Sequence, residues 1–385
     1  MIMKNNFYTA IGLMSGTSMD GVDASLIKSD GINEYTNILD EFYEFEDKLH
    51  QKLINLRNLI YNTDCLIKYS RDLNELEREL TVFHSKIVNK INNKYKDNID
   101  LIGFHGQTIF HDPKIGISKQ IGDGKLLSQL TKKKVVYNFR QNDISNGGQG
   151  APLAPIFHNL LSKNLSVNSK IDYPMCFLNI GGISNITITT NSKEFPNKNF
   201  KAFDIGPGNC LIDQWIRKNS KKNYDCNGSI GKSGTIDILI LNQAIENFKI
   251  NTYDQSLDIK DFDISFAKGL SLEDGCATIT SFTAYLISKG IEFANNFNKN
   301  IRTKYFICGG GRKNVFLIEN IKKNLSKFSN IDLEIIDNHN IDGDFIESQA
   351  FGYIAIRSFL NLPISFPQTT GCKTPVSGGK IVSNF

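Results

Sequence analysis

The chain has no long hydrophobic run. Nothing in its 385 residues approaches the roughly 18 consecutive apolar residues that a membrane-spanning helix needs. It also has no C-x-x-C pair. Cys65, Cys176, Cys210, Cys226, Cys276, Cys308 and Cys372 stand singly, which excludes a zinc ribbon and a dithiol redox site. Several lie in apolar stretches, where cysteine behaves as a small hydrophobe, and an odd number of them fits a reducing compartment. There is little surplus of charge, +4 overall. The densest basic spots, Lys132-Lys133-Lys134 and Arg217 to Lys222, read as solvated turns and helix ends, which argues against nucleic-acid or anionic-membrane partners. The start carries one early Lys4, then Asn5-Asn6, and its apolar run is broken by Gly12, so no leader is read and a cytoplasmic location is expected. His105 and His111 come nearest to a metal-ligand pair, and they sit across a loop, so no zinc site is expected.

What is present points to an α/β enzyme. The length exceeds what one core usually sustains, so two lobes are expected. Apolar runs at 7–14 and 22–28 flank a short loop and read as a hairpin, with a third strand at 42–45. Leu73, Leu76, Leu80, Phe83, Ile87 and Ile91 recur at three- and four-residue steps, predicting an amphipathic helix over about 70–95 that packs on a sheet; the stripe is too short to favour a coiled coil. Strands at 101–104 and 134–139 follow. After residue 170 the pattern restarts, with strands at 175–180, 185–190, 200–204, 304–308 and 332–336 and helices near 281–297 and 345–360. Polar stretches at 191–199, 217–223 and 295–303 read as surface loops. The two halves share an architecture without a sequence repeat, which suggests two sheets flanked by helices with a cleft between them.

Two Gly/Asp loops stand out. Gly16-Thr17-Ser18-Met19-Asp20-Gly21-Val22-Asp23 offers bare backbone, two hydroxyls and, in Asp20, a carboxylate able to hold hydrated magnesium. In Asp204-Ile205-Gly206-Pro207-Gly208-Asn209 the glycines and a following helix start would supply N–H groups to anionic oxygens, and Asp204 could act as a general base. Either loop alone could be a plain turn; together they suggest a phosphate clamp. Gly309-Gly310-Gly311, followed by Arg312-Lys313-Asn314, would let a flat base lie on the backbone, although a tight turn needs glycines too. Gly231-Lys232-Ser233-Gly234 is not a P-loop, because Cys226 stands where that motif needs its first glycine. His105, Gln107 and Thr108 follow a strand and suit a sugar pocket, and Glu347 opens the last helix, where simple dipole compensation would also place it.

The segments MSGTSMDGVDASL (14–26), GFHGQT (103–108), NFRQNDISNGGQGAPLAPIFH (138–158), NIGGISN (179–185), FDIGPGNCLIDQW (203–215), CGGGRKN (308–314) and ESQAFGYIA (347–355) closely resemble the anhydro-N-acetylmuramic acid kinases. They span nearly the whole chain. The resemblance implies two RNase-H-like, actin-like ATPase lobes, each a mixed sheet flanked by helices, with the active-site cleft between them. One lobe would hold residues 1–138 plus 357–385, the other 139–356. It further implies ATP and Mg²⁺ as cofactors, a small anhydrosugar as substrate, and a role in cell-wall recycling; it leaves homodimer formation open. Residues 16–23 would bind ATP phosphates, the triglycine and Asn314 the adenosine, and Asp204 would activate water. Arg140 and Glu347 would contact the sugar, with Thr108 a third contact. Three departures stand out: Ser348 replaces the family's usual Ala, Asn138 replaces an Asp, and the 368–372 stretch differs after its glycine. A kinase for an ordinary sugar hydroxyl and a non-enzymatic ATP-binding clamp are the competing readings.

Overall fold

The computed structural model describes residues 6–191, 199–248, 253, 255–298 and 301–385. Most of the expected 191–199 loop, residues 299–300 of the 295–303 loop, and the first five residues lie outside these. The chain forms two compact units, residues 1–163 with 345–385 and residues 164–344. These breaks differ from those expected at 138/139 and 356/357. Aromatic packing explains the shift: Phe139 meets Phe351, and Phe157 meets both Tyr35 and Tyr353, so residues 139–157 share a core with the first strands and the last helix.

In unit 1 the apolar runs of the N-terminal third become β1 (Tyr8–Ser15), β2 (Gly21–Ser29) and β3 (Tyr35–Glu44), an antiparallel meander. On the other side of β1 come β4 (Leu101–Asp112) and then β6 (Lys134–Tyr137), both parallel to it. The hairpin partner β5 (Ile117–Ile121) extends β4, and β12 (Lys380–Val382) closes the far edge. Helices α1 (Asp47–Leu59) and α2 (Ser70–Lys94) cover one face, where the Leu73, Leu76, Leu80, Ile87 and Ile91 stripe is buried. Short α3 (Arg140–Ser145) and α4 (Pro155–Asn168) follow β6.

Unit 2 repeats the order. β7 (Met175–Ile180), β8 (Ile183–Thr189) and β9 (Phe200–Pro207) are antiparallel neighbours, and β10 (Thr303–Cys308) and β11 (Ile331–Ile335) continue from β7 in parallel. With β5 and the edge strand β12 set aside, both units share one strand order and the same directions, β3-β2-β1-β4-β6 in unit 1 and β9-β8-β7-β10-β11 in unit 2. This is the RNase-H-like order. Its helices include α5 (Cys210–Asn219), α6 (Leu272–Asn295) and α7 (Val315–Leu325).

The last helix, α8 (Ile346–Phe359), belongs to unit 1 and lies directly on its sheet. Glycines permit the close approach: a Cβ at Gly12 would sit 1.8 Å from the Ser348 carbonyl oxygen, and one at Gly103 would sit 2.2 Å from that of Phe351. Glu347 is thereby carried to the sheet that bears the Gly16 turn. Among the described residues no helix is long and apolar enough to cross a membrane.

Candidate active site

The Gly16–Asp20 turn joins β1 to β2, and its glycines do different jobs. A Cβ at Gly16 would meet only Ser18 Oγ, at 3.9 Å, so this backbone is open. A Cβ at Gly21 would lie 2.5 Å from both the Phe42 ring and the Tyr43 carbonyl oxygen, so that glycine serves the packing of β2 on β3. Met19 adopts φ +57° and buries its side chain in the core, while the Met19 N–H donates to the Gly16 carbonyl at 3.3 Å. Val22 is likewise core, and Asp23 is part-buried in β2. Thr17, Ser18 and Asp20 are exposed, and Ser18 Oγ donates to Asp20 at 2.7 Å. Arg57 of α1, which the sequence did not single out, reaches this turn and donates from Nη1 to the Thr17 carbonyl at 3.2 Å.

His105, Gln107 and Thr108 do not follow a strand; they are inside one. The polar stretch remains strand because β5 pairs with it from Gln107 onward, and His105 and His111 share that strand instead of flanking a loop. Among the described residues no group of three metal-ligating side chains forms. His105 Nδ1 faces the Gly106 carbonyl at 2.8 Å, and its Nε2 lies 2.9 Å from Arg140 Nη2. A guanidinium only donates, so the imidazole carries its proton on Nδ1 and accepts at Nε2. Burial, helped by the Arg140 charge, pushes the His105 pKa down to about 3. Phe351 covers the ring at 4.6 Å. His105 therefore stands behind Arg140, and Thr108 Oγ1 accepts from Gln120 at 3.2 Å.

Arg140 opens α3 just after Asn138, which takes φ +56°, a conformation asparagine tolerates better than most residues. Its Nη1 donates to the Gly150 carbonyl at 2.6 Å. Gly150 is fixed in turn, because its N–H donates to Asp143 Oδ2 at 2.7 Å while Thr370 Oγ1 donates to Asp143 Oδ1 at 2.6 Å. Both ends of the guanidinium are thus held. Glu347, in the first turn of α8, has its carboxyl pushed up by burial, and the Arg140 charge opposes that shift. Ser348 is accommodated by a hydroxyl pair, its Oγ lying 2.6 Å from Ser25 Oγ, which also bonds Asp40.

In unit 2, Asp204 lies within β9 and is buried. Its Oδ2 accepts from the Leu257 N–H at 2.8 Å and from Ser256 Oγ at 3.2 Å, partners with no sequence signal. The turn after it departs from expectation. The N–H groups of Gly208 and Asn209 donate to the Gly182 and Gly181 carbonyls at 2.9 and 2.8 Å, so they are spent within the protein and not free for an anion. A Cβ on Gly208 would lie 2.2 Å from the Gly181 oxygen, which makes this glycine a packing residue. Gly206, at φ +151°, is where glycine is required by backbone conformation.

The triglycine divides similarly. A Cβ at Gly309 would meet Asn179 Oδ1 at 2.3 Å, and one at Gly311 would meet Ile180 Cγ2 at 2.2 Å, whereas at Gly310 the nearest neighbour is Asn209 Nδ2 at 3.8 Å. Gly310 is the open one. Arg312 fastens this loop: it grips Asp337 at 2.7 and 2.8 Å, Asp342 at 3.0 Å, Asp344, and the Gly309 carbonyl at 3.2 Å. Its hydrogen bonds hold the Asp337 carboxyl below the usual carboxylate range. Asn314 is buried and caps α7, accepting from the Leu317 N–H at 2.9 Å.

The chain is similar to known proteins over nearly its whole length. The family model "AnmK: Anhydro-N-acetylmuramic acid kinase" matches residues 8–384. An anhydro-N-acetylmuramic acid kinase of Pelagibacter ubique is 53% identical over 381 residues, covering 98% of this chain and 99% of that one. The Brucella canis protein of the same name is 38% identical over 377 residues, covering 96% and 97%. Among solved structures, the activator of the 2-hydroxyisocaproyl-CoA dehydratase from Clostridium difficile with bound ADPNP aligns at a TM-score of 0.37 and 11% identity, covering 90% and 94%. With matches running from one end of the described chain to the other, this protein belongs to the anhydro-N-acetylmuramic acid kinase family.

Proposed function

We propose that this protein is an ATP-dependent kinase that opens 1,6-anhydro-N-acetylmuramic acid with water and phosphorylates the released O6, giving N-acetylmuramic acid 6-phosphate and ADP, in the cytoplasm. The observation that carries the reading is the Arg140 assembly of unit 1. A guanidinium fixed by His105 and Gly150, and felt electrostatically by the Glu347 carboxyl, opens the helix after β6 in the same unit whose first strand ends in the open Gly16 turn. A nucleotide clamp without a substrate would need no such arginine.

In this mechanism Asp204 takes a proton from water as its oxygen bonds to the anomeric carbon. The bond from that carbon to O6 breaks, and O6 attacks the γ-phosphorus, releasing ADP. The leaving oxygen passes to phosphorus, which removes the general acid that glycosidases use. The Leu257 N–H and Ser256 hydroxyl hold the Asp204 carboxylate in place. Arg140 and Glu347 orient the sugar, and Thr108 of β4 is a third contact. The turn at Gly16–Asp20 takes the phosphates and Gly310 gives an open floor for the base; Gly206 shapes the Asp204 loop. Mg²⁺ fits the exposed Asp20 carboxylate, since this ion keeps several waters and binds through one carboxylate and phosphate oxygens. When bound, it supplies charge neutralisation at the phosphates.

Incubation with Mg-ATP and the anhydrosugar should yield the 6-phosphate by mass spectrometry, and absence of any phosphosugar would refute the function. Asp204→Asn should keep ATP binding and lose about 10²–10⁴-fold in turnover. Near-normal turnover would remove Asp204 from the role of base.

A further inference from the structure

Gln107 was expected to line a sugar pocket. Its surroundings say otherwise. The side chain is buried, at 1% exposure. Its Nε2 donates to the Gly16 carbonyl at 3.0 Å and, more weakly, towards the Thr108 carbonyl at 3.4 Å. Its Oε1 accepts from Ser15 Oγ at 2.5 Å. A carboxamide has two donors and two acceptor positions. Both donors and one acceptor position are thus taken by unit 1 itself, and the two carbonyls fix which end of the amide is which.

These contacts tie both ends of the turn. The Gly16 carbonyl held by Gln107 is the one on which the turn closes, since it also accepts from Met19 N–H. Ser15 Oγ lies 2.9 Å from the Gly21 carbonyl, where the turn ends, so its single proton is shared between that oxygen and Gln107. The backbone of β4 is built for this contact. β1 and β4 run in register through Leu13 and Phe104, and then Ser15 pairs with Gln107, one residue late. The extra residue sits at Gly106, whose φ of +72° suits glycine, and a Cβ there would lie 2.4 Å from the Ile121 carbonyl oxygen. A bulge of this kind re-aims the next side chain. Here it turns Gln107 towards the Gly16 turn.

We propose that Gln107, with Ser15, is a positioning residue that holds the Gly16–Asp20 turn in its nucleotide-binding conformation, and that it does not contact the sugar. The proposal rests on the reading of that turn as the nucleotide loop. The test is the affinity for Mg-ADP without sugar, measured by calorimetry on the full chain, with the KM for Mg-ATP and for the anhydrosugar measured separately. Gln107→Met should weaken Mg-ADP binding and raise the KM for Mg-ATP by roughly ten- to hundredfold, the loss of one or two hydrogen bonds. The KM for the sugar should change by less than about twofold. Amide exchange should accelerate over residues 16–22 and not over 10–13. Ser15→Ala should do the same more weakly, which keeps the test alive if the first variant does not fold. Wild-type Mg-ADP affinity in either variant, or a rise confined to the sugar KM, would overturn the brace. Failure of the wild-type protein to bind Mg-ADP would overturn the nucleotide-loop reading itself.

Discussion

At the residue scale, the glycines of this protein are not interchangeable, and the space each one leaves separates ligand-facing from packing positions. Gly16→Ala places a methyl in open space, so the folded protein should lose less than about 0.5 kcal/mol. Mg-ADP affinity should fall, because the phosphates would meet that methyl. Gly21→Ala drives a methyl into the Tyr43 carbonyl and should cost about 1–3 kcal/mol. Urea unfolding and calorimetry on the pair would show it; equal stability losses would contradict the division. Composition cannot reveal this. A glycine that faces a ligand and one that touches a neighbouring strand are the same letter, and only the position of Phe42 and Tyr43 distinguishes them.

At the element scale, most strands and the long helices were legible because their apolar periodicity is strong. The strand expected over 101–104 runs on to Asp112, since the polar His105-Gly106-Gln107-Thr108 stretch owes its β character to pairing with β5, a tertiary partner. The Asp204 loop differs from expectation for a related reason. Its N–H groups look free in one dimension but are taken by the carbonyls of Gly181 and Gly182, in the turn between β7 and β8. Arg312 carries no sequence signal beyond its place in a glycine loop, yet it is the loop's anchor. Arg312→Leu leaves three carboxylates facing one another and should destabilise unit 2 by up to about 3 kcal/mol. Because those carboxylates are partly exposed, 26–48% by side chain, water should recover part of that cost. A midpoint unchanged in urea would show that the network contributes no stability.

At the scale of the whole molecule, the two units carry one strand order with no shared sequence, so the duplication was visible as architecture alone. Three buried histidines, all in unit 1, should make that unit acid-sensitive. Burial pushes His84 down to about 4, and His105 and His158 down to about 3. Folded, they stay neutral, whereas unfolded they take up protons near pH 6.5. Their stabilising contribution is therefore complete above about pH 6.5 and declines as pH falls, towards 4 for His84 and towards 3 for His105 and His158. Each adds up to ~1.4 kcal/mol per pH unit. The His84→Phe variant should show a shallower fall in urea midpoint between pH 7 and 5; an equal slope would contradict the assignment. The central claim, that hydrolysis and phosphoryl transfer occur in one turnover, is tested most directly in ¹⁸O-water. With Mg-ATP and 1,6-anhydro-N-acetylmuramic acid, mass spectrometry should find one ¹⁸O at C1 and an unlabelled phosphate on O6. Phosphosugar with no label at C1, or ATP consumption without phosphosugar, would contradict it.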